Sequence, residues 1–254
     1  MSGFPWYESW WLTRFVHAKE FISLHRPARL AEFTQVLGPL RTRPDFRHQL
    51  LEGFFSKSHV AMIHAALHSI RKDQLKLHEI ASHGRFVVHD HPLLQELHAA
   101  AAADVSRLTG EAVEPSYTFL GLYKMNGRCD VHLDAPIAKW TLDYCIEQSA
   151  PWPIAFSQVV PWPEAFEYGD TSWQERIKAS PRNRFTTVAM NPGDAVVFSG
   201  SSQWHYREPF ADARAEHHCS LLFLHFIPAG LKEVAEWQNW ERLFDVPGLT
   251  LALQ

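Results

Sequence analysis

The sequence has few cysteines, no long apolar run and no concentration of positive charge. Its three cysteines, Cys129, Cys145 and Cys219, form no C-x-x-C pair, which argues against a disulfide framework or a zinc ribbon. No window approaches 18 uninterrupted apolar residues, so no transmembrane helix is predicted. The formal net charge is −4 and no basic run occurs, so nucleic-acid binding is not indicated. Because the first residues also lack a basic and then apolar leader, we expect a cytoplasmic protein that binds neither nucleic acid nor membranes. Its oligomeric state is left open.

The chain is long enough for a sizeable core, since it has 254 residues of which 46% are apolar. We find no flexible linker and predict one domain, residues 1–254. Residues 1–110 are predicted to be mainly helical, residues 115–227 to form strands, and residues 228–254 to end in a helix, which together make an α+β fold. Within the first part, 44–70 is predicted as one long helix or two, and 75–89 as a hairpin.

The motif that organises these predictions is His132-Leu133-Asp134. On an extended strand the side chains of residues i and i+2 point to the same face, so an imidazole and a carboxylate can occupy adjacent corners of a metal site. His205 is the best third ligand. It follows a Pro192-Gly193-Asp194 turn and a short apolar strand, and is predicted to lie in the loop beyond; His217 and His218 are its rivals. Two histidines and one carboxylate leave positions open, as in non-haem Fe(II) oxygenases.

With these residues the chain resembles the Fe(II)/2-oxoglutarate-dependent dioxygenases, in particular their prolyl-hydroxylase-like branch. The resemblance covers roughly residues 115–227 and rests on the order of Tyr123, His132-x-Asp134, the Pro-Gly-Asp turn, His205 and Ser220. It implies a double-stranded β-helix of the jelly-roll or cupin type, with the N-terminal helices as a buttress. It also implies that His132, Asp134 and His205 are the catalytic metal ligands, and that the cofactors are Fe(II), 2-oxoglutarate and dioxygen. Related halogenases carry a small residue at the position of Asp134, so the carboxylate implies hydroxylation or a related oxidation.

The predicted binding residues for 2-oxoglutarate depart from the family pattern. Where the family often has Arg or Lys two residues before Ser, this chain has His218-Cys219-Ser220, and histidine is charged only when protonated. Either His218 with Ser220 binds the distal carboxylate, or another cation does, with Lys139 first and then Arg207, Arg214 and Arg128. Tyr123 and Tyr144 are candidate hydroxyl donors. Because Lys139 and Tyr144 have opposite parity on one predicted strand, only one of them can line the pocket unless a bulge intervenes.

Three functions are compatible with these patterns. The first is a hydroxylase that acts on an aliphatic C–H of a small-molecule or amino-acid-type substrate and releases succinate and CO2. The second is an iron oxygenase that does not use 2-oxoglutarate, which the missing Arg or Lys motivates. The third is a non-catalytic β-helix domain that binds a ligand. Succinate release separates the first from the second, and metal content separates the third from both.

Overall fold

The computed structural model describes residues 10–124, 126–163, 173–210 and 217–254, and two antiparallel sheets face each other at its centre. The larger sheet has the strand order β1-β8-β5-β10-β3-β2 and the smaller has the order β4-β9-β6-β7. This is the predicted α+β arrangement. The strands are β1 (Gln49–Leu51), β2 (Arg85–His89), β3 (Val113–Tyr123), β4 (Cys129–His132), β5 (Trp140–Gln148), β6 (Ile154–Val159), β7 (Thr186–Val188), β8 (Ala195–Ser199), β9 (Gln203–Arg207) and β10 (Cys219–Pro228).

Helices cover the outer faces of both sheets. Apolar residues of α3 and α5 pack against the outer face of the larger sheet, while α1, α2 and the C-terminal helices share a core with outward residues of β4 and β9. None of the described helices is long and apolar enough to span a membrane. The helices are α1 (Trp10–His25), α2 (Leu30–Val36), α3 (Lys57–His68), α4 (Ile80–His83), α5 (Gln95–Thr109), α6 (Trp173–Ala179), α7 (Lys232–Ala235), α8 (Trp240–Leu243) and α9 (Leu249–Ala252).

Burial explains why the strands of the larger sheet have continuous apolar sequences. β8 and β10 are buried along their whole length, because one face meets the helices and the other meets the smaller sheet. On β4 and β9 the alternation is different. Val131 and Trp204 point outward into the core under α1, so their neighbours His132 and His205 point to the space between the sheets. The apolar residues of these two strands thereby fix the direction of the polar ones.

Three predicted elements differ from the observed ones. The segment 44–70 is helical only from Lys57, where Ser56 caps α3, and Gln49–Leu51 is instead an edge strand paired with β8. The 75–89 hairpin is reduced to a single bridge between Lys76 and Val87, with α4 between its arms. The predicted C-terminal helix is divided into three short helices. In the first case the Ser56 cap marks where the helix begins, and in the other two a turn interrupts the predicted element.

Candidate active site

Two strands of the smaller sheet bring the predicted metal ligands together. β4 and β9 are antiparallel neighbours in which His132 pairs directly with His205, and their imidazole rings lie 4.2 Å apart between centroids. Asp134 follows the end of β4, where its backbone N–H donates to the carbonyl of Gly200 at 2.9 Å. His205 therefore lies in the middle of β9 rather than in a loop. The prediction missed β9, because its five residues Gln203–Arg207 follow β8 after a turn of only three residues.

The three side chains have the geometry of a metal-binding group. His132 Nε2 lies 3.5 Å from Asp134 Oδ1, and His205 Nε2 lies 3.8 Å from Asp134 Oδ2. Donor atoms from the three residues all lie within 4.8 Å of one another, and no other such group of His, Cys, Asp and Glu occurs in the described ranges. This donor set, two imidazoles and one carboxylate, fits divalent iron.

Backbone carbonyls orient both histidines for that role. The Nδ1 atom of His132 lies 2.8 Å from the Asp130 carbonyl, and the Nδ1 atom of His205 lies 2.9 Å from the Gln203 carbonyl. A carbonyl only accepts, so each Nδ1 carries the proton and donates it. Each Nε2 is then left with its lone pair directed toward the site. This tautomer is the one that a metal requires, and such outer hydrogen bonds also fix the ring orientation.

The electrostatics of the site favour an ionised carboxylate. Burial opposes charge on Asp134, but the nearby His205 and His132 outweigh it and hold the pKa of the carboxyl below its usual range. Burial, assisted by His132, lowers the pKa of His205 to about 4. For His132 burial also acts to lower the pKa, yet Cys129 and Asp134 outweigh it and raise it. An ionised carboxylate beside a neutral imidazole is a favourable environment for a divalent cation.

Gly200 allows Asp134 to occupy its position. A Cβ atom at residue 200 would lie 2.3 Å from Asp134 Oδ2 and 2.6 Å from the carbonyl oxygen of Ala138. Both distances are well below van der Waals contact, so any side chain here would displace the carboxylate. The glycine at the end of the Val-Val-Phe-Ser run thus has a packing role that the sequence alone did not reveal.

A cavity of about 220 Å³ extends from the three ligands into the space between the sheets. Its deep end contains two arginines and a tyrosine: Arg85 from β2, Arg207 from β9 and Tyr123 from β3. Arg207 lies two residues after His205 on the same face of β9, one side-chain layer further into the barrel. The lining is completed by Glu79, His83, His89, Tyr117, Phe119, Cys129, His132, Asp134, Thr141, Ile154, Phe198, His205, Phe223 and His225.

Each arginine at the deep end has a carboxylate partner. Arg207 Nη2 donates to Asp143 Oδ2 at 2.7 Å, and its Nη1 donates to the carbonyl of Trp152. Asp143 is fully buried, and desolvation raises the pKa of its carboxyl despite Arg207. Arg85 bonds the partly exposed Glu79 through Nε and donates to the Tyr123 hydroxyl through Nη1. The Tyr123 hydroxyl therefore lies at the deep end of the cavity, and its contact with a cosubstrate stays a prediction.

The structure does not bring His218 and Ser220 into this cavity. β10 begins at Cys219, which faces inward opposite Tyr123, so strand parity directs its neighbour Ser220 the other way. The Ser220 hydroxyl donates to Glu147 at 2.9 Å. His218 lies before the strand, where its backbone exchanges hydrogen bonds with Ser149. The small inward residue at this register is Cys219, which lies within electrostatic range of Arg207.

Lys139 and Tyr144 also lie outside the lining. Lys139 precedes β5 in a helical conformation at the end of a 3₁₀ turn, so strand alternation does not apply to it. Its Nζ bonds Glu111 at 2.6 Å and the Pro39 carbonyl at 2.8 Å. Tyr144 faces the outer helices, with its ring 5.0 Å from that of Phe55.

Of the three arginines predicted as alternatives, Arg207 lines the cavity. Arg128 is exposed and donates to the Ser82 carbonyl at 2.8 Å, and Arg214 lies outside the described residues. His217, a rival third ligand, stacks on Phe210 at 5.2 Å. Sequence reasoning missed Arg85 altogether, because β2 joins the sheet from the N-terminal region that the resemblance does not cover. It also missed Thr141 and His225, although strand alternation along β5 and β10 would have placed both side chains on the inward face.

Comparisons with known proteins show the fold. No protein-family model matches the chain, and no curated protein sequence matches it. Among solved structures it is similar to the non-haem α-ketoglutarate-dependent epimerase SnoN from nogalamycin biosynthesis (TM-score 0.53, 13% identity, covering 80% of this chain and 86% of SnoN). It is also similar to the carbocyclase SnoK from the same biosynthesis, with a TM-score of 0.54 and 12% identity over 80% of this chain and 89% of SnoK. A third similar structure is EctD from S. alaskensis, solved with 2-oxoglutarate and 5-hydroxyectoine, with a TM-score of 0.51 and 15% identity over 71% of this chain and 72% of EctD. The chain therefore has the jelly-roll fold of 2-oxoglutarate-dependent non-haem iron enzymes.

Proposed function

We propose that this protein is an Fe(II)- and 2-oxoglutarate-dependent oxygenase that oxidises an aliphatic C–H bond of a small-molecule substrate, with hydroxylation as the outcome. The observation that carries the proposal is the arrangement of one cavity. His132, Asp134 and His205 converge on it, and two guanidinium groups line its deep end. The fold shared with SnoN, SnoK and EctD supports the class. Because the names of SnoN and SnoK describe an epimerase and a carbocyclase, hydroxylation is inferred from Asp134 rather than from the fold.

In this proposal His132, Asp134 and His205 hold the iron, and the remaining coordination positions are open to the cosubstrate and dioxygen. Iron held there would let dioxygen act as the oxidant, with one oxygen atom going to the substrate C–H bond and the other to 2-oxoglutarate, which leaves as succinate and CO2. The protein contributes orientation and a site shielded from water. Apolar and aromatic walls from Phe119, Phe198 and Phe223 provide that shielding.

We infer that Arg207 and Arg85 bind the distal carboxylate of 2-oxoglutarate, with the Tyr123 hydroxyl between them. A guanidinium has five N–H donors. Among the described residues, Arg207 and Arg85 each donate to two partners, so each guanidinium keeps N–H groups for an oxygen of the cosubstrate. Arg207 is favoured as the main contact because it lies on the same strand and face as His205. A planar guanidinium also binds a carboxylate through two parallel bonds, which an imidazole cannot do.

These arginines answer the observation that motivated an oxygenase without 2-oxoglutarate. That hypothesis rested on the missing Arg or Lys before Ser220, and the structure supplies two cations to the same cavity from β2 and β9. We therefore favour 2-oxoglutarate as the cosubstrate.

Succinate formation tests the proposal. Purified protein supplied with Fe(II), ascorbate and 2-oxoglutarate is expected to form succinate slowly even without its substrate, and Asp134→Ala is expected to form none. Metal content of the same preparations is measured alongside. An iron-loaded protein that neither binds 2-oxoglutarate nor forms succinate would contradict the proposal, and a protein that binds no iron would favour a non-catalytic binding domain.

A further inference from the structure

Two buried polar side chains beside the metal ligands have no hydrogen-bond partner among the described residues. They are His225 on β10 and Thr141 on β5, which are 3% and 1% exposed and line the cavity. The Thr141 hydroxyl and His225 Nδ1 are both buried and unpaired. Leaving such groups unpaired costs stability, and most buried polar groups in proteins are paired. Because both residues line the cavity, a ligand bound there is a candidate partner for both groups.

The two side chains form one feature, because β5 and β10 are neighbours in which Thr141 pairs directly with His225. They lie toward the metal end of the cavity. Asp134 and His225 are close enough to interact electrostatically, whereas Arg207 pairs with Asp143, one inward position further along β5. The pair is thus nearer to the metal ligands than Arg207 is, and Arg85 also lies within electrostatic range of His225.

The local backbone holds His225 in this position. The register of β10 against β3 shifts between Leu224 and Phe226, so β3 carries an extra residue opposite His225. Such bulges redirect side chains and are common beside active sites. From the outer side, His98 Nε2 donates to the His225 carbonyl at 2.8 Å. The direction of the imidazole is therefore fixed by the fold rather than by a hydrogen bond of its own.

The surroundings of His225 are aromatic. Its ring stacks on Tyr117 at 4.2 Å between centroids and lies 5.4 Å from Phe119, which in turn stacks on Phe223 at 4.4 Å. Burial lowers the pKa of His225 to about 4, so the ring is neutral at pH 7 and offers one donor and one acceptor. Thr141 offers a neutral hydroxyl. This wall presents hydrogen-bonding groups without a net charge.

We propose that His225 and Thr141, with the aromatic wall of Tyr117 and Phe119, form the substrate subsite and bind an uncharged hydrogen-bonding group, a hydroxyl or an amide, attached to an apolar part of the substrate. The inference rests on the proposed function, since it is the molecule to be oxidised that the subsite orients. The charged groups nearest this wall, Asp134 and Arg85, are assigned to the metal and to 2-oxoglutarate, which leaves no counter-charge for a substrate carboxylate or ammonium. The substrate is therefore a molecule whose group beside the metal ligands carries no charge.

The test uses four probes with the same ring: benzamide, benzyl alcohol, benzoate and benzylammonium. Binding is measured by ligand-detected NMR titration, which needs no turnover, on the full-length protein with Zn(II) in place of iron and with saturating 2-oxoglutarate, so that Asp134 and the two arginines are already occupied. Benzamide and benzyl alcohol are expected to bind more tightly than the two charged probes. Thr141→Val and His225→Phe should each weaken benzamide binding about two- to tenfold, the effect of one lost hydrogen bond.

Thr118→Val is a matched control. Thr118 is also buried with an unpaired hydroxyl, but it is not part of the cavity lining described above. Replacing either threonine removes an unpaired buried polar group, so neither variant should lower the unfolding temperature. Only Thr141→Val should change benzamide binding. This separates a binding role from a structural one.

Three results would overturn the proposal: tighter binding of benzoate or benzylammonium, equal benzamide affinity in Thr141→Val and Thr118→Val, or no benzamide binding up to its solubility limit. A failure of the subsite can be distinguished from a failure of the proposed oxygenase function. Variant-sensitive benzamide binding without succinate formation would contradict the oxygenase, and succinate formation without benzamide binding would contradict the subsite.

Discussion

The two ends of the cavity hold their charges differently. At the metal end, Asp134 has only two imidazoles for partners, both oriented by backbone carbonyls toward a common point. At the deep end, Arg207 and Arg85 already pair with Asp143 and Glu79. Among the described residues, the carboxylate at the first end is balanced only by a proton on His132, whose pKa is raised, whereas the arginines at the second end already pair with carboxylates. We therefore propose that the metal end holds an ion in place of that proton, and that the deep end binds an anion by sharing arginines that also stabilise the fold.

The largest expected effect concerns the metal end. His132→Ala, Asp134→Ala and His205→Ala should each abolish Fe(II) binding and turnover, because each removes one of three protein ligands. Fe(II) binding is measured by anaerobic titration, and far-ultraviolet circular dichroism checks the fold. His89→Ala is the control, since His89 lines the same cavity but is not one of the ligands. Full activity and iron affinity in Asp134→Ala would contradict the ligand assignment.

The next largest effect tests whether Arg207 both stabilises the fold and binds 2-oxoglutarate. Arg207→Met leaves Asp143 buried without its cation, and breaking such a pair costs about 3–5 kcal/mol of unfolding free energy. The variant should also bind 2-oxoglutarate roughly ten- to a hundredfold more weakly, as expected for a lost charge-assisted bond of ~1.5–3 kcal/mol. Denaturant unfolding and calorimetric titration measure the two quantities.

The double variant Arg207→Met/Asp143→Asn separates these roles. It removes both charges, so much of the stability should return while 2-oxoglutarate affinity stays low. Recovery of affinity together with stability would show that Arg207 acts only through the fold. Arg85→Met should destabilise less than Arg207→Met, because its partner Glu79 is 20% exposed and Asp143 is fully buried.

A smaller effect is expected from Gly200→Ala. The added Cβ conflicts with Asp134 Oδ2 and the Ala138 carbonyl, so the carboxylate must move. Displacing a ligand indirectly, as loss of outer-shell support does, typically costs 10–100-fold in metal affinity. Gly38→Ala is the matched control, since nothing lies within 4 Å of its added Cβ. Equal Fe(II) affinity in both variants would show that Asp134 adapts without loss.

The smallest effect is expected at His218. Because His218 lies before β10 and outside the cavity, His218→Ala should leave 2-oxoglutarate affinity and its pH profile unchanged. Calorimetric titration across the neutral range measures both. A loss of affinity in this variant, with Arg207→Met unaffected, would reverse our assignment of the anchor and restore the histidine predicted from the sequence.

The same contrast between the ends explains how far the sequence could be interpreted. His132 and Asp134 could be predicted because their spacing is local and strand alternation fixes their direction, whereas His205 was chosen for its position after the Pro192-Gly193-Asp194 turn and the strand that follows it. Arg85 could not, because its place depends on β2 joining the sheet beside β3, a contact between distant segments. Lys139 was assigned by extending the alternation one residue beyond the strand, where the backbone is helical. His218 and Ser220 were assigned from the family pattern of a cation two residues before a serine. In this chain Cys219 is the residue of that segment that faces the cavity side, so Ser220 faces the other way.

The most direct test of the account is an anaerobic crystal structure of the protein with Fe(II) and 2-oxoglutarate. We predict anomalous density for iron bonded to His132, Asp134 and His205, and the distal carboxylate of 2-oxoglutarate within hydrogen-bond distance of Arg207 or Arg85. Iron bound elsewhere, or a distal carboxylate held by His218 or by a residue outside the cavity, would contradict it.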